Sequence, residues 1–139
     1  MPAKNALASS RKSVDEKITI NIGCVDLGQI DLLVQEGFYA NRTDLIRTAI
    51  RNQLTTHGDV VREVVARKTL VLGIQHYSAA DLEAVQARGE KLQIRVLGLA
   101  AIAPDVSPAL ALASIDSITV LGALHASPAV KSALAQRIR

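Results

Sequence analysis

Residues 17–23, KITINIG, alternate without a break: Ile18, Ile20 and Ile22 point to one side, Lys17, Thr19 and Asn21 to the other. This is the pattern of a strand buried on one face. No second strand lies within hairpin reach, and a lone strand leaves a row of backbone N–H and C=O groups unpaired. The simplest partner is the same strand of a second copy, with Ile18, Ile20 and Ile22 in the shared core. The period then changes to 3.6. Asp26 is placed to cap a helix with Gln29 as its reciprocal partner, and Leu27, Ile30, Leu33, Val34 and Phe38 recur at helical spacing. Gly37 supplies a left-handed stop. Asn41 is the N-cap of the next helix and Asp44 favours the positive end of its dipole. Leu45, Ile46, Ala49, Ile50 and Leu54 make the apolar face, Arg47 and Arg51 stand on the other as solvated or ion-paired residues, and Gly58 closes the unit. Residues 59–68, DVVREVVARK, form a short amphipathic connecting helix through Val60, Val61, Val64 and Val65.

A different order governs residues 69–139. TLVLGI at 69–74, IRVLGL at 94–99 and ITVLGA at 118–123 recur every 24–25 residues. Each is followed by a helix signal: Ser78 with Asp81 three residues on, then Ser107 and Ser127, each immediately before a proline suited to a first helical position. Val130, Leu134 and Ile138 form a stripe on the last helix. Three β-loop-α units at this period imply parallel strands joined by crossovers. The period is that of short solenoid repeats, but the asparagine ladder of leucine-rich repeats is missing. The expectation is a small α/β domain of three units, about the minimum that buries a continuous core.

A strand and two helices in about 40 residues cannot bury a core alone, whereas two copies sharing an antiparallel ribbon over four helices can. The alternating K-I-T-I-N-I followed by G-F-Y-A-N-R-T-D-L-I-R-T-A-I-R resembles the ribbon-helix-helix (Arc/MetJ/CopG) DNA-binding superfamily over residues 16–57. The fold class expected is thus α+β: a ribbon-helix-helix that forms a swapped β-ribbon dimer, followed by the α/β repeat domain. The resemblance implies that the polar face of the ribbon enters the major groove, so Lys17, Thr19 and Asn21 become the base-reading residues. It also implies that Asn41, Arg42 and Thr43 hold a phosphate at the N-terminus of the second helix, fixing register without reading sequence. The chain divides accordingly into a basic arm read as disordered (1–15), a DNA-binding unit (16–58), the connecting helix (59–68) and the repeat domain (69–139).

Composition narrows the chemistry. The net charge of +3 is small, so a nucleic-acid site must come from placement of charge. Cys24 is the only cysteine, which excludes an intrachain disulfide or thiolate cage and makes a reducing compartment the default. No apolar run reaches bilayer length and no signal core opens the chain, so a cytoplasmic, nucleoid-associated protein without membrane contact is expected. Three histidines and one cysteine without ligand spacing argue against the nickel-sensing domain some relatives of similar length carry, and no metal or cofactor is expected. No Ser-His-Asp set, paired catalytic carboxylates or Walker-type loop is recognisable, so no enzyme activity is expected. His76 and His125 occupy equivalent places in units one and three. With Gly73, Gly98 and Gly122 they outline a candidate effector site at the strand C-terminal ends, where small anions bind in open parallel sheets. Against it stands the simpler reading that the glycines serve turns and the histidines cover loops. The function expected is sequence-specific transcriptional regulation, as a repressor, by a homodimer or higher oligomer on operator DNA. Two rivals are an autoregulatory antitoxin and a protein-binding sensor or scaffold. The apolar, repetitive C-terminal half speaks against the disordered, charged tail common in antitoxins.

Overall fold

Alternating isoleucines that face no partner strand among the described residues set up the first feature of the fold. In a computed structural model that describes residues 15–139, residues 15–23 run without helix or ladder, and Ile18 and Ile20 are 77% and 68% exposed. All of the expected basic arm except Asp15 lies outside the described residues. The described residues fall into two compact units, Asp15–Val64 and Val65–Arg139.

In the first unit, α1 (Cys24–Gln35) is followed by α2 (Arg42–Thr56) and by α3 (Gly58–Arg67), which runs across the boundary. Asp26 does not cap α1. The cap is Gly23, whose carbonyl accepts from Leu27 N–H at 3.0 Å, and Asp26 sits in the first turn, where its charge still meets the positive end of the dipole. Gly37, at φ 84°, ends α1 in a Schellman motif: its N–H donates to the Val34 carbonyl and that of Phe38 to Leu33. Gly58 opens α3 instead of ending α2, because His57 alone separates the two helices and its carbonyl already accepts from Val61 N–H at 3.0 Å. None of the three helices has a fully buried residue in the single chain, and Phe38, Ile50 and Leu54 stand exposed.

In the second unit the three repeats become β1 (Val71–Tyr77), α4 (Ala79–Ala87), β2 (Leu92–Ile102), α5 (Pro108–Ser114), β3 (Ile115–His125) and α6 (Pro128–Ala133). The strands form one parallel sheet in the order β1-β2-β3. The repeats are in register: Val71, Val96 and Val120 align across it, as do Gly73, Gly98 and Gly122. The serine caps form as expected. The Ser78 hydroxyl accepts from Asp81 N–H while the Asp81 carboxylate accepts from Ser78 N–H, and Ser107 and Ser127 cap helices that begin with proline. Helices and sheet share a core of Leu82, Ile94, Val96, Ile115, Ile118, Val130 and Leu134.

Two glycines are required by the close approach of the strands. With φ of 138° and 121°, Gly98 and Gly122 lie where L side chains are rare, and a Cβ on them would fall 2.2 Å from the Gly73 carbonyl oxygen and 2.0 Å from that of Gly98, respectively. The last helix is shorter than its apolar stripe. It stops at Ala133, and Arg137 turns inward to donate to the carbonyls of Leu112 and Ile115, both at 2.7 Å. The tail then lies along β3: Ile118 N–H donates to the Arg137 carbonyl at 2.9 Å, and Arg139 N–H to Ile118 at 2.8 Å. Ile138 therefore belongs to a bridge with Ile118 and not to a helix.

Candidate nucleic-acid interface

The start of α2 is built by its cap. Asn41 is extended, and its Oδ1 accepts from Asp44 N–H at 2.8 Å; Asp44 reaches back to accept from Ala40 N–H at 3.0 Å. This pair holds the first turn open to solvent. By helix geometry the N–H groups of Arg42 and Thr43 have no acceptor within the helix, so they are available to an anion. A surface groove of about 470 Å³ lies here, bordered by Asn41, Thr43, Asp44, Arg47, Thr48 and Arg51. Arg47 and Arg51 are exposed and border this groove beside the cap. The signal for this is their spacing from Thr43, four and eight residues on, which places all three on one helix face.

Arg42 is placed differently from Asn41 and Thr43. Its Nε and Nη2 make a two-pronged ion pair with Asp31 of α1, at 2.7 and 2.8 Å. The hydrogen bonds and charge of Arg42 hold the Asp31 carboxyl below its usual range, and Asp31 raises the guanidinium in return. Arg42 therefore braces α1 against α2 in the free chain. Lys17, Thr19 and Asn21 are exposed on segment 17–23, which has no partner strand among the described residues, next in sequence to the exposed isoleucines.

A second concavity belongs to the repeat unit. A cavity of about 540 Å³ lies at the C-terminal ends of the strands, bordered by His76, Ser78, Ala101, Pro104, His125 and Ser127. Ala101 pairs with His76 on one side and His125 on the other. The small residue in the middle repeat leaves a notch between two imidazoles, with their strands about 10 Å apart at the usual sheet spacing. Gly73, Gly98 and Gly122 do not border this cavity; Gly98 and Gly122 serve the backbone approach described above. Tyr77 also borders it, and burial pushes its phenol above the usual value.

A family model described as the Ribbon-Helix-Helix transcriptional regulator family matches residues 13–131. The match runs through both units and reaches into the last helix, so the three repeated strands lie within it. No curated protein and no solved structure matches the chain. No described helix is long and apolar enough to cross a membrane.

Proposed function

The chain belongs to the ribbon-helix-helix transcriptional regulator family, and from that membership we propose that it is a repressor that binds operator DNA as a homodimer. DNA binding and dimerisation are what the family implies. The observation that carries the finer reading is the run of three exposed isoleucines on a segment with no partner strand among the described residues, in a unit whose helices have no fully buried residue. Two copies pairing residues 17–23 antiparallel bury Ile18, Ile20 and Ile22 and present Lys17, Thr19 and Asn21 to the major groove. Lys17 can donate to guanine O6 and N7, Asn21 can pair with adenine N6 and N7, and Thr19 can touch a thymine methyl. The cap at Asn41, with the N–H groups of Arg42 and Thr43, holds a phosphate, and Arg47 and Arg51 add charge along the same groove. The working division is a DNA-binding unit at 16–58, a connecting helix at 59–68 and a repeat domain at 69–139. The ordered repeat domain supports a regulator over an antitoxin with a disordered tail.

The experiment is a salt titration of variants on a duplex selected from random sequence and on a scrambled one. Asn21→Ala should cost about 1–3 kcal/mol on the selected duplex and little on the scrambled one. Asn41→Ala should weaken the cap by roughly 1 kcal/mol and lower affinity for both duplexes alike. Lys17→Ala should flatten the salt slope as well as reduce discrimination. Equal weakening of both duplexes by Asn21→Ala would show that the ribbon face does not read bases.

The cavity between His76 and His125 supports a further part of this reading: a small-molecule effector, an organic anion seated on Ala101 between the imidazoles. Thermal shift of the full chain against a panel of short carboxylates tests it. Protection that His125→Ala abolishes is the expected result; no protection by any of the panel counts against an anionic effector.

A further inference from the structure

We propose that the outer edge of β1 pairs antiparallel with the same edge of a second copy, so that the two repeat domains of a dimer merge into one six-stranded sheet. This rests on the dimer reading above. It adds a second interface, separate from the ribbon.

The two edges of the sheet are not treated alike. At β3 the C-terminal tail covers Ile118 with two backbone hydrogen bonds. At β1 no described strand lies beyond it, and Val71, Leu72 and Ile74 are 46%, 66% and 49% exposed. Their in-register neighbours on β2 show what the same repeat positions look like when flanked: Val96 is fully buried, Leu99 is 6% exposed and Leu97 is half-buried. An apolar strand with a free row of N–H and C=O groups invites another strand, and proteins normally blunt such edges with charge, proline or a cover. Residues 71–77 contain neither proline nor a Lys, Arg, Asp or Glu. Gly73 fits a close neighbour as well. Gly98 and Gly122 lack a Cβ where the adjacent carbonyl approaches, whereas Gly73 has no described atom within 4 Å of its own Cβ position.

Why a second copy and not an unrelated strand follows from connectivity. Residues 68–70 alone separate α3 from β1, so a dimer formed by the N-terminal unit holds two β1 strands on short tethers. A short tether raises the effective concentration to the millimolar range, enough for an edge pairing too weak to persist between free chains. A two-fold axis perpendicular to the sheet makes the contact antiparallel and self-complementary and keeps both helix layers on one face. Full overlap of the seven residues of β1 places that axis at Ile74, opposite its own copy, with Leu72 opposite His76.

Disulfide mapping of the full-length protein tests this, in a Cys24→Ser background that removes the one native thiol. Directly opposed residues bring Cβ atoms about 4.5–5.5 Å apart, within disulfide reach. Ile74→Cys should oxidise rapidly to a covalent dimer. A mixture of Leu72→Cys and His76→Cys chains should give the mixed dimer faster than either chain alone. Leu121→Cys, exposed on β3, should remain monomeric on denaturing gels. Sedimentation of the unoxidised proteins separates the two ways to fail. A dimer with no cross-link at 72, 74 or 76 overturns the β1 contact and leaves the family reading intact. So does a dimer that cross-links at 121 as fast as at 74, which would mean pairing through β3 or the sheet face. A monomer at tens of micromolar overturns both.

Discussion

Thr69 is the only described residue other than glycine with positive φ, at 51°. It follows α3, and its bonds are those of a Schellman cap: Thr69 N–H donates to the Ala66 carbonyl and Leu70 N–H to Val65. Gly37 and Gly89 fill the same place after α1 and α4 with φ of 84° and 68°. A β-branched residue there costs about 1–2 kcal/mol in the left-handed region, partly offset by the greater unfolded-state freedom of glycine. Thr69→Gly should therefore raise stability by up to about 1 kcal/mol in urea unfolding, with the slope unchanged. A loss would mean that the threonine hydroxyl, 2.7 Å from the Lys68 carbonyl, outweighs the strain. The glycine ladder gives the opposite sign. Gly98→Ala and Gly122→Ala combine unfavourable φ with overlap against a carbonyl that belongs to the sheet and cannot move aside. Each should cost at least about 3 kcal/mol, visible as loss of the repeat unit's cooperative unfolding. A cost under about 1 kcal/mol for either would mean that the strands can separate locally.

Among the elements, those with strong local signals are legible in the amino-acid sequence. The three VLG strands, their parallel order, the serine caps and the Gly37 stop are each written in a few adjacent residues, and the caps form as the residue types require. The boundaries that differ share a cause. Residue type alone gives Asp26, Gly58 and Ile138 roles that the fold fills otherwise: Gly23 begins α1 with its carbonyl, His57 joins α2 directly to α3, and α6 stops at Ala133 while the tail bonds to β3. The ion pair between Arg42 and Asp31 is not legible either, because it joins residues eleven apart on two helices whose packing no local pattern encodes. That pair has a pH signature. A depressed carboxyl contributes stability that is present above its unfolded pKa, about 3.9, and is lost as pH falls through the folded value. The stability gap between the parent protein and Asp31→Asn should thus be full at pH 7 and shrink between roughly pH 5 and pH 2. Because both side chains are half exposed, the gap should also narrow in about 1 M salt. Urea titrations at pH 7 and pH 3 measure it, and a gap that does not change with pH would mean that the pair adds only packing.

For the whole molecule, the decisive quantity is parity along residues 17–23. Neighbouring positions on an extended segment face opposite ways, so the same substitution one residue apart should have different consequences. Ile20→Asp puts a carboxylate into the core that the two paired strands would share, which costs several kcal/mol when no partner charge is present. The expected outcome is dissociation at low micromolar concentration by sedimentation, with loss of DNA binding, since an edge contact at β1 depends on the tether that the ribbon dimer provides. Thr19→Asp puts the same charge on the outer face. There it should leave the dimer intact and unfolding nearly unchanged, while repulsion from the phosphates lowers affinity for every duplex and the deficit shrinks as salt screens it. The repeat unit, with its own core, should keep its circular dichroism in both variants. If Thr19→Asp dissociates the protein and Ile20→Asp does not, the buried and DNA-facing sides are exchanged. If neither does, residues 17–23 are not the dimer's ribbon, and the exposed isoleucines must be covered in some other way.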